Sequence, residues 1–233
     1  MAKVVEVIDK TALRNAASVV LWRAGADGLP QVLMGQRGDK AAFMPSKYVF
    51  PGGAVDPADV DVELAEALPA DCARCLGFDA AIAPETLAAA AIRELWEETG
   101  LALGAPGTWA SPPADVGHDW AGFASRGLMP SARAMQFIFR AVTPPGRPRR
   151  FDARFFLVPA AQIAGDVDDF SLASDELSHL HWIALSETRN LDLPFITEVV
   201  LAEVASILRD GPAPAGVPFF DNSGTRPQFR RIV

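Results

Sequence analysis

One sixteen-residue stretch, Pro84 to Thr99, constrains this chain more than any other. Pro84 suits the first turn of a helix, the residues that follow are strong helix formers, and Gly100 is a natural terminator, so the pattern predicts a helix over 85–99. At 3.6 residues per turn, Glu94, Glu97 and Glu98 stand at i, i+3 and i+4, which gathers three carboxylates on one face. Ala88, Ile92, Leu95 and Trp96 fall on the other side, where they can pack on a sheet.

Like charges at that spacing repel, each pair costing an isolated helix roughly 0.2–0.5 kcal/mol. Solvation does not reward such clustering, whereas a hard divalent cation does, because magnesium takes oxygen ligands and commonly bridges carboxylates to phosphates. Arg93 lies four residues before Glu97 and can steer its carboxylate, while Ala90 and Ala91 are expected to leave room for a ligand beside the acidic face. An exposed, purely solvated acidic face is the competing reading of the helix taken alone.

At 233 residues the chain is expected to form one elaborated domain, residues 1–233, with a single sizeable core. Half of its residues are apolar and 21% are charged, the balance of a globular protein. A net charge of −8 disfavours a broad electrostatic grip on nucleic acid, leaving a small phosphorylated ligand as the fitting partner. Cys72 and Cys75 are the only cysteines, too few for a disulfide framework and without a second pair to complete a zinc site, which fits a reducing cytoplasm. Residues 1–15 mix charges among short apolar pairs and lack the apolar centre of a signal peptide, and no stretch is long enough to span a bilayer, so no membrane partner is expected.

Ala17–Trp22 and Gln31–Gly35 read as a hairpin, and Tyr48–Phe50 as a short extended piece stopping at Pro51-Gly52-Gly53. Residues 54–83 are rich in alanine and acids and read as an inserted excursion, about 58–83, with a short helix over Val62–Leu68. A short helix is expected near Trp120, and strands over Met135–Val142, Ala153–Val158 and Glu176–Ile183. A basic turn, Thr143 to Arg150, links the first two of these strands; Arg37, Arg147, Arg149, Arg150 and Arg154 are candidates to meet a ligand phosphate. Phe195–Leu208 has apolar residues at helical spacing, so the C-terminal part, 194–233, is expected to be this helix followed by a loosely held Pro/Gly-rich tail from Gly211. Cys72-x-x-Cys75 is a weak redox or metal pattern, and His118, His179 and His181 accompany no nucleophilic Ser or Cys arrangement.

Glu85-x7-Arg93-Glu94-Leu95-x-Glu97-Glu98-x-Gly100-Leu101 resembles the signature of the Nudix hydrolase superfamily, G-x5-E-x7-R-E-U-x-E-E-x-G-U with U a bulky aliphatic, at every fixed position after its first glycine. Gly53 supplies that glycine, but 31 residues separate it from Glu85 where the usual signature has five, which makes the excursion a 26-residue insertion. Such an interruption after Phe43-Met-Pro-Ser-Lys-Tyr-Val-Phe-Pro-Gly-Gly53, with Arg150-Phe-Asp-Ala-Arg-Phe-Phe156 downstream, is similar to the peroxisomal coenzyme A diphosphatase branch and its bacterial relatives. Together the similarities cover most of residues 17–183; the upstream coenzyme A signature is met only loosely, around Leu33–Arg37.

This resemblance implies an α/β fold, an α/β/α sandwich with a mixed sheet, and a magnesium-dependent hydrolase, manganese substituting, that cuts a diphosphate bond in a nucleoside diphosphate derivative. Carried over by position, Glu94, Glu97 and Glu98 would be metal ligands with a backbone carbonyl of Gly52 or Gly53, Arg93 and Glu85 orienting groups, and Gly100 the structural end of the helix. Glu176 is the choice for a further carboxylate, and Glu98 or Glu176 for the group that takes the proton of an attacking water. Coenzyme A or its thioesters are the first substrates expected. ADP-ribose, NADH-like dinucleotides, or a non-catalytic nucleotide sensor on the same fold are the alternatives, and a purely structural role is the least economical. Relatives in this superfamily commonly pair through sheet edges or helices, which leaves a homodimer open.

Overall fold

In a computed structural model of the chain, residues 12–38, 44–110, 120–213 and 215–233 are described. The strands are β1 (Leu13–Ala24), β2 (Pro30–Arg37), β3 (Tyr48–Val49) and β4 (Gly52–Ala54); α1 (Ala70–Leu76) and α2 (Pro84–Thr99) follow. Next come β5 (Gly104–Pro106), α3 (Trp120–Ser125), β6 (Leu128–Pro130), β7 (Gln136–Val142), β8 (Arg150–Pro159), β9 (Leu177–Ala184), α4 (Phe195–Asp210), β10 (Val217–Asp221) and β11 (Gln228–Ile232).

Among the described residues, nine strands form one sheet in the order β11-β10-β7-β8-β1-β2-β3, with β4 also on β1 and β9 also on β2. The β1–β8 and β10–β7 pairs are parallel and the others antiparallel, so the sheet is mixed. Side chains of successive strand residues point to opposite faces. Val19 and Leu21 of β1, Leu33 of β2 and Phe156 and Val158 of β8 therefore pack toward α2. Val20, Val32, Met34, Phe155 and Leu157 belong to a second cluster closed by Val200, Leu201, Val204 and Ile207 of α4. Two cores on opposite faces of one sheet make the α/β/α sandwich.

Three expectations are corrected. Val62–Leu68 is not helical: the insertion instead forms a 3-10 turn at Pro57–Asp61, an irregular stretch that buries Val62 and Leu68, and then α1, which begins after Pro69 and stops at Gly77. That insertion is part of the main core, not an appendage, since Val62, Leu68, Cys75 and Leu76 share a cluster with α2. It is also tied by backbone bonds from Ala65 N–H to the Pro130 carbonyl and from Ala132 N–H to the Glu66 carbonyl. The C-terminal tail is not loose, because Val217–Asp221 runs parallel to β7 and pairs with Gln228–Ile232.

The third correction concerns α2. Ala88, Ala89, Ala90 and Ala91 are all fully buried, so Ala90 and Ala91 offer no room for a ligand. Small side chains let the helix sit close against its surroundings, and the acidic face is confined to its last two turns. No helix among the described residues is long and apolar enough to cross a membrane.

Candidate active site

Gly100 terminates α2 at φ 74°, donating its N–H to the Trp96 carbonyl, and the segment that follows Asp169 folds back over this end, where Ser174 N–H reaches the Glu97 carbonyl. β4 approaches the same turns from the other side. Gly52 N–H donates to Glu98 Oε2 at 2.7 Å. A Cβ on Gly53 would lie 2.5 Å from the Glu94 carboxyl group, so glycine is what allows the strand and the carboxylate to share this space.

Glu98 is buried, and burial first, with the negative charge of Glu94 behind it, pushes its carboxyl well above the ordinary range against the opposing Gly52 N–H. Burial likewise raises Glu94, the neighbouring Arg93 working the other way. Glu176, at the entry of β9 and exposed to solvent, adds its charge to both. The Arg37 guanidinium stands close enough to lower Glu98, and its Nε is buried without a hydrogen-bond partner among the described residues.

Arg93 organises the opposite side of the cluster. Its Nη1 donates to Glu94 Oε1 at 2.8 Å and Glu97 Oε2 at 3.2 Å; its Nη2 donates to the Ala54 carbonyl at 3.0 Å. Its remaining edge grips Asp59, Nε to Oδ1 at 2.8 Å and Nη2 to Oδ2 at 3.0 Å. Burial opposes the guanidinium charge, but Asp59, Glu94 and Glu97 outweigh it and hold Arg93 above its usual value.

Thus Gly52, Gly53, Arg93, Glu94, Glu97, Glu98, Glu176 and Arg37 come together, and Asp59 is the participant that the sequence reading missed. Its signal was present, since five residues separate Gly53 from Asp59, the spacing of the signature's first glycine and acid. Glu85 is exposed in the first turn of α2, away from Arg93's observed partners.

Arg149 and Arg150 do not join the cluster. In the parallel β1–β8 register Arg150 faces Leu13, whereas Ser18 faces Gly52, so they lie about 16 Å apart along β1 at 3.3 Å per residue. Arg154 is buried in an ion pair with Asp152 and is not available to a ligand; Arg147 is exposed on the turn. A cleft of about 490 Å³ lined by Leu13, Asn15, Val55, Val60 and Ile82 opens at the first turn of α2, at the end remote from the acids.

Cys72 is half-buried and Cys75 buried on α1; burial pushes the Cys72 thiol up to about 11, which suits a packed side chain and not a reactive thiolate. His181 packs edge-on against Tyr48, and His179 sits exposed at a bulge of β9 against β2. His118 lies outside the described residues.

Among the described residues no three acidic, His or Cys side chains converge on one point, because Glu98 is turned to Gly52 while Glu94 and Glu97 are turned to Arg93. The donor set nevertheless fits a hard cation: carboxylate oxygens in excess of positive charge, two of them on residues whose burial penalises ionisation.

Comparison with known proteins decides the family. A crystallised NUDIX hydrolase from Alicyclobacillus acidocaldarius is 31% identical, with a TM-score of 0.61 over 84% of this chain and 92% of that one. This chain is a Nudix hydrolase family member. "Putative nudix hydrolase 7" of Caenorhabditis elegans is 31% identical over 75% of the chain and 52% of its own length. Acyl-coenzyme A diphosphatase NUDT19 of Gallus gallus is 35% identical over 40% of the chain and 33% of its own length. The chain thus matches about half or less of the length of these curated relatives. No family model matches.

In this Nudix chain the Gly53 contact yields a direct prediction. Gly53→Ala is expected to fold normally, because the flexible end of Glu94 can swing aside. Displacing that carboxylate by about 1 Å is expected to lower turnover roughly 10²-fold. Steady-state rates beside a thermal melt check both halves; full activity would show that Glu94 has no fixed place in the reaction.

Proposed function

We propose that the chain is a magnesium-dependent diphosphatase, manganese substituting, that cleaves the diphosphate of a small nucleoside diphosphate derivative, with coenzyme A or an acyl-coenzyme A as the preferred class. The observation that carries the reading is the set of carboxylates gathered at the end of α2, with Glu98 buried against Gly52 N–H and Glu94 filling the space beside Gly53. The substrate class is supported by the partial match to a relative named for acyl-coenzyme A diphosphatase activity and by the interrupted signature.

Glu94, Glu97 and Glu98 would hold the metal with a Gly52 or Gly53 carbonyl. When bound, the metal supplies charge neutralisation on the diphosphate and a lowered pKa for water. The chain's own groups do the rest. Arg93 orients Glu94 and Glu97, Arg37 offers an unused N–H to a phosphate oxygen, and Glu98 or Glu176 takes the proton from the attacking water.

A panel of coenzyme A, an acyl-coenzyme A, ADP-ribose, NADH and a dinucleoside polyphosphate, each with magnesium and with EDTA, tests the reading. The expected result is metal-dependent cleavage between the phosphates, fastest for the coenzyme A compounds, and its abolition by chelator. Preferential cleavage of ADP-ribose or NADH would move the substrate class and keep the chemistry. Binding of a nucleotide with no cleavage of any compound would favour a sensor.

A further inference from the structure

We propose that Asp59, not Glu85, is the positioning residue that sets Arg93 and, through it, Glu94 and Glu97, so that the chain's insertion interrupts its signature after the first acid. The inference rests on the metal-site reading above and deepens it.

A guanidinium is a planar fork, and gripping one edge fixes where the other edge points. Asp59 takes the Nε–Nη2 edge of Arg93 in a bidentate pair whose side chains are 3% and 1% exposed. Nη2 also meets the Ala54 carbonyl, which leaves Nη1 aimed between Glu94 and Glu97. Released from Asp59, the guanidinium could turn its edge onto the two glutamates and compete with a cation for their oxygens.

Asp59 is itself held. Its Oδ2 accepts the Asp56 N–H at 2.8 Å, and Asp56 Oδ1 accepts the Ala58 N–H at 2.9 Å, a reciprocal cap on the 3-10 turn Pro57–Asp61. Spacing agrees with geometry: five residues lie between Gly53 and Asp59, as in the usual signature, so 33 residues then separate Asp59 from Arg93 where that signature has seven. Glu85 is exposed and eight residues before Arg93, about 12 Å along the helix axis at 1.5 Å per residue. Its match to the signature is therefore a coincidence of spacing within α2.

The test is Mn2+ binding without substrate, followed by electron paramagnetic resonance, on wild type, Asp59→Asn, Asp59→Glu and Glu85→Gln, with kcat and the magnesium dependence measured in parallel. Asp59→Asn is expected to weaken Mn2+ binding by roughly 10–100-fold, as loss of a group supporting metal ligands does. Most turnover should return at saturating magnesium, Asp59→Glu should recover much of the affinity, and Glu85→Gln should match wild type. A folded Asp59→Asn with wild-type affinity overturns the assignment, as does a weakened Glu85→Gln. If Asp59→Asn does not fold, Asp59→Glu and Glu85→Gln decide the matter: recovery in the first with no change in the second supports the assignment, and the reverse overturns it. Wild-type protein that binds no Mn2+ and cleaves no diphosphate instead overturns the reading of the site as a metal centre.

Discussion

Glu98→Gln is expected to cut turnover by roughly 10²–10⁴-fold, the range for loss of a group that moves a proton in the transition state, while leaving the metal-free protein at least as stable as wild type. Both halves follow from where the carboxyl sits. Glu98 is 2% exposed, and its burial and the charge of Glu94 together disfavour its ionised form. An amide of the same shape keeps an acceptor oxygen for Gly52 N–H and removes the repulsion from Glu94 and Glu176. Sites that must collect like charges before a cation arrives are built at a cost in stability. Glu97 offers the contrast, since its side chain is 25% exposed and paired with Arg93. Glu97→Gln should also lose turnover, but with little gain in melting temperature. Rates at saturating magnesium, set beside thermal midpoints in EDTA, separate these cases. A Glu98→Gln protein that turns over normally would remove Glu98 from the chemistry, and one that loses activity and stability together would make it a structural residue.

What could be read in advance, and what could not, follows from how local each signal is. Pro84, the run of helix formers and Gly100 specify α2 within its own sixteen residues, and the helix appears where they place it. Strands β1, β2, β7 and β8 carry enough β-branched and aromatic residues to be found without knowing their partners. The tail is different. Gly211, Pro212, Gly216 and Pro218 argue against regular structure locally, and pairing with β7 on one side and β11 on the other makes Val217–Asp221 a strand. Within the insertion a helix was expected over Val62–Leu68, but this stretch is irregular and sends Val62 and Leu68 into the core, while the usable start and stop signals, Pro69 and Gly77, bracket α1. Asp59 was hidden by a competitor: Glu85 completes the longer run of matching positions, whereas Asp59 matches only in its spacing from Gly53, and the contact to Arg93 decides between the two acids.

Asp152→Ala is expected to destabilise the protein by about 3–5 kcal/mol, the usual cost of stranding a buried charge by removing its partner. Two arginines depend on this one carboxylate. Arg140 donates Nε to Oδ1 at 2.9 Å and Nη2 to Oδ2 at 2.7 Å, while Arg154 Nη2 lies 3.1 Å from the same Oδ2. Burial, with the nearby Arg140 charge, already lowers Arg154 to about 10 even with Asp152 in place to oppose the shift. Without it, two guanidiniums 1% and 5% exposed would face each other with only the Asp221 carboxylate, near Arg140, as a counter-charge. The consequence is not confined to β7 and β8. Arg140 Nη1 donates to the Phe78 carbonyl and its guanidinium lies 4.5 Å from the Phe219 ring, so the same cluster holds the end of the insertion and the first C-terminal strand. Losing it should loosen both, giving faster amide exchange around α1 and β10 before the rest of the sheet. Urea unfolding measures the first expectation, and hydrogen exchange the second. A change in unfolding free energy below about 1 kcal/mol would mean that backbone carbonyls and Asn15 suffice for the two arginines.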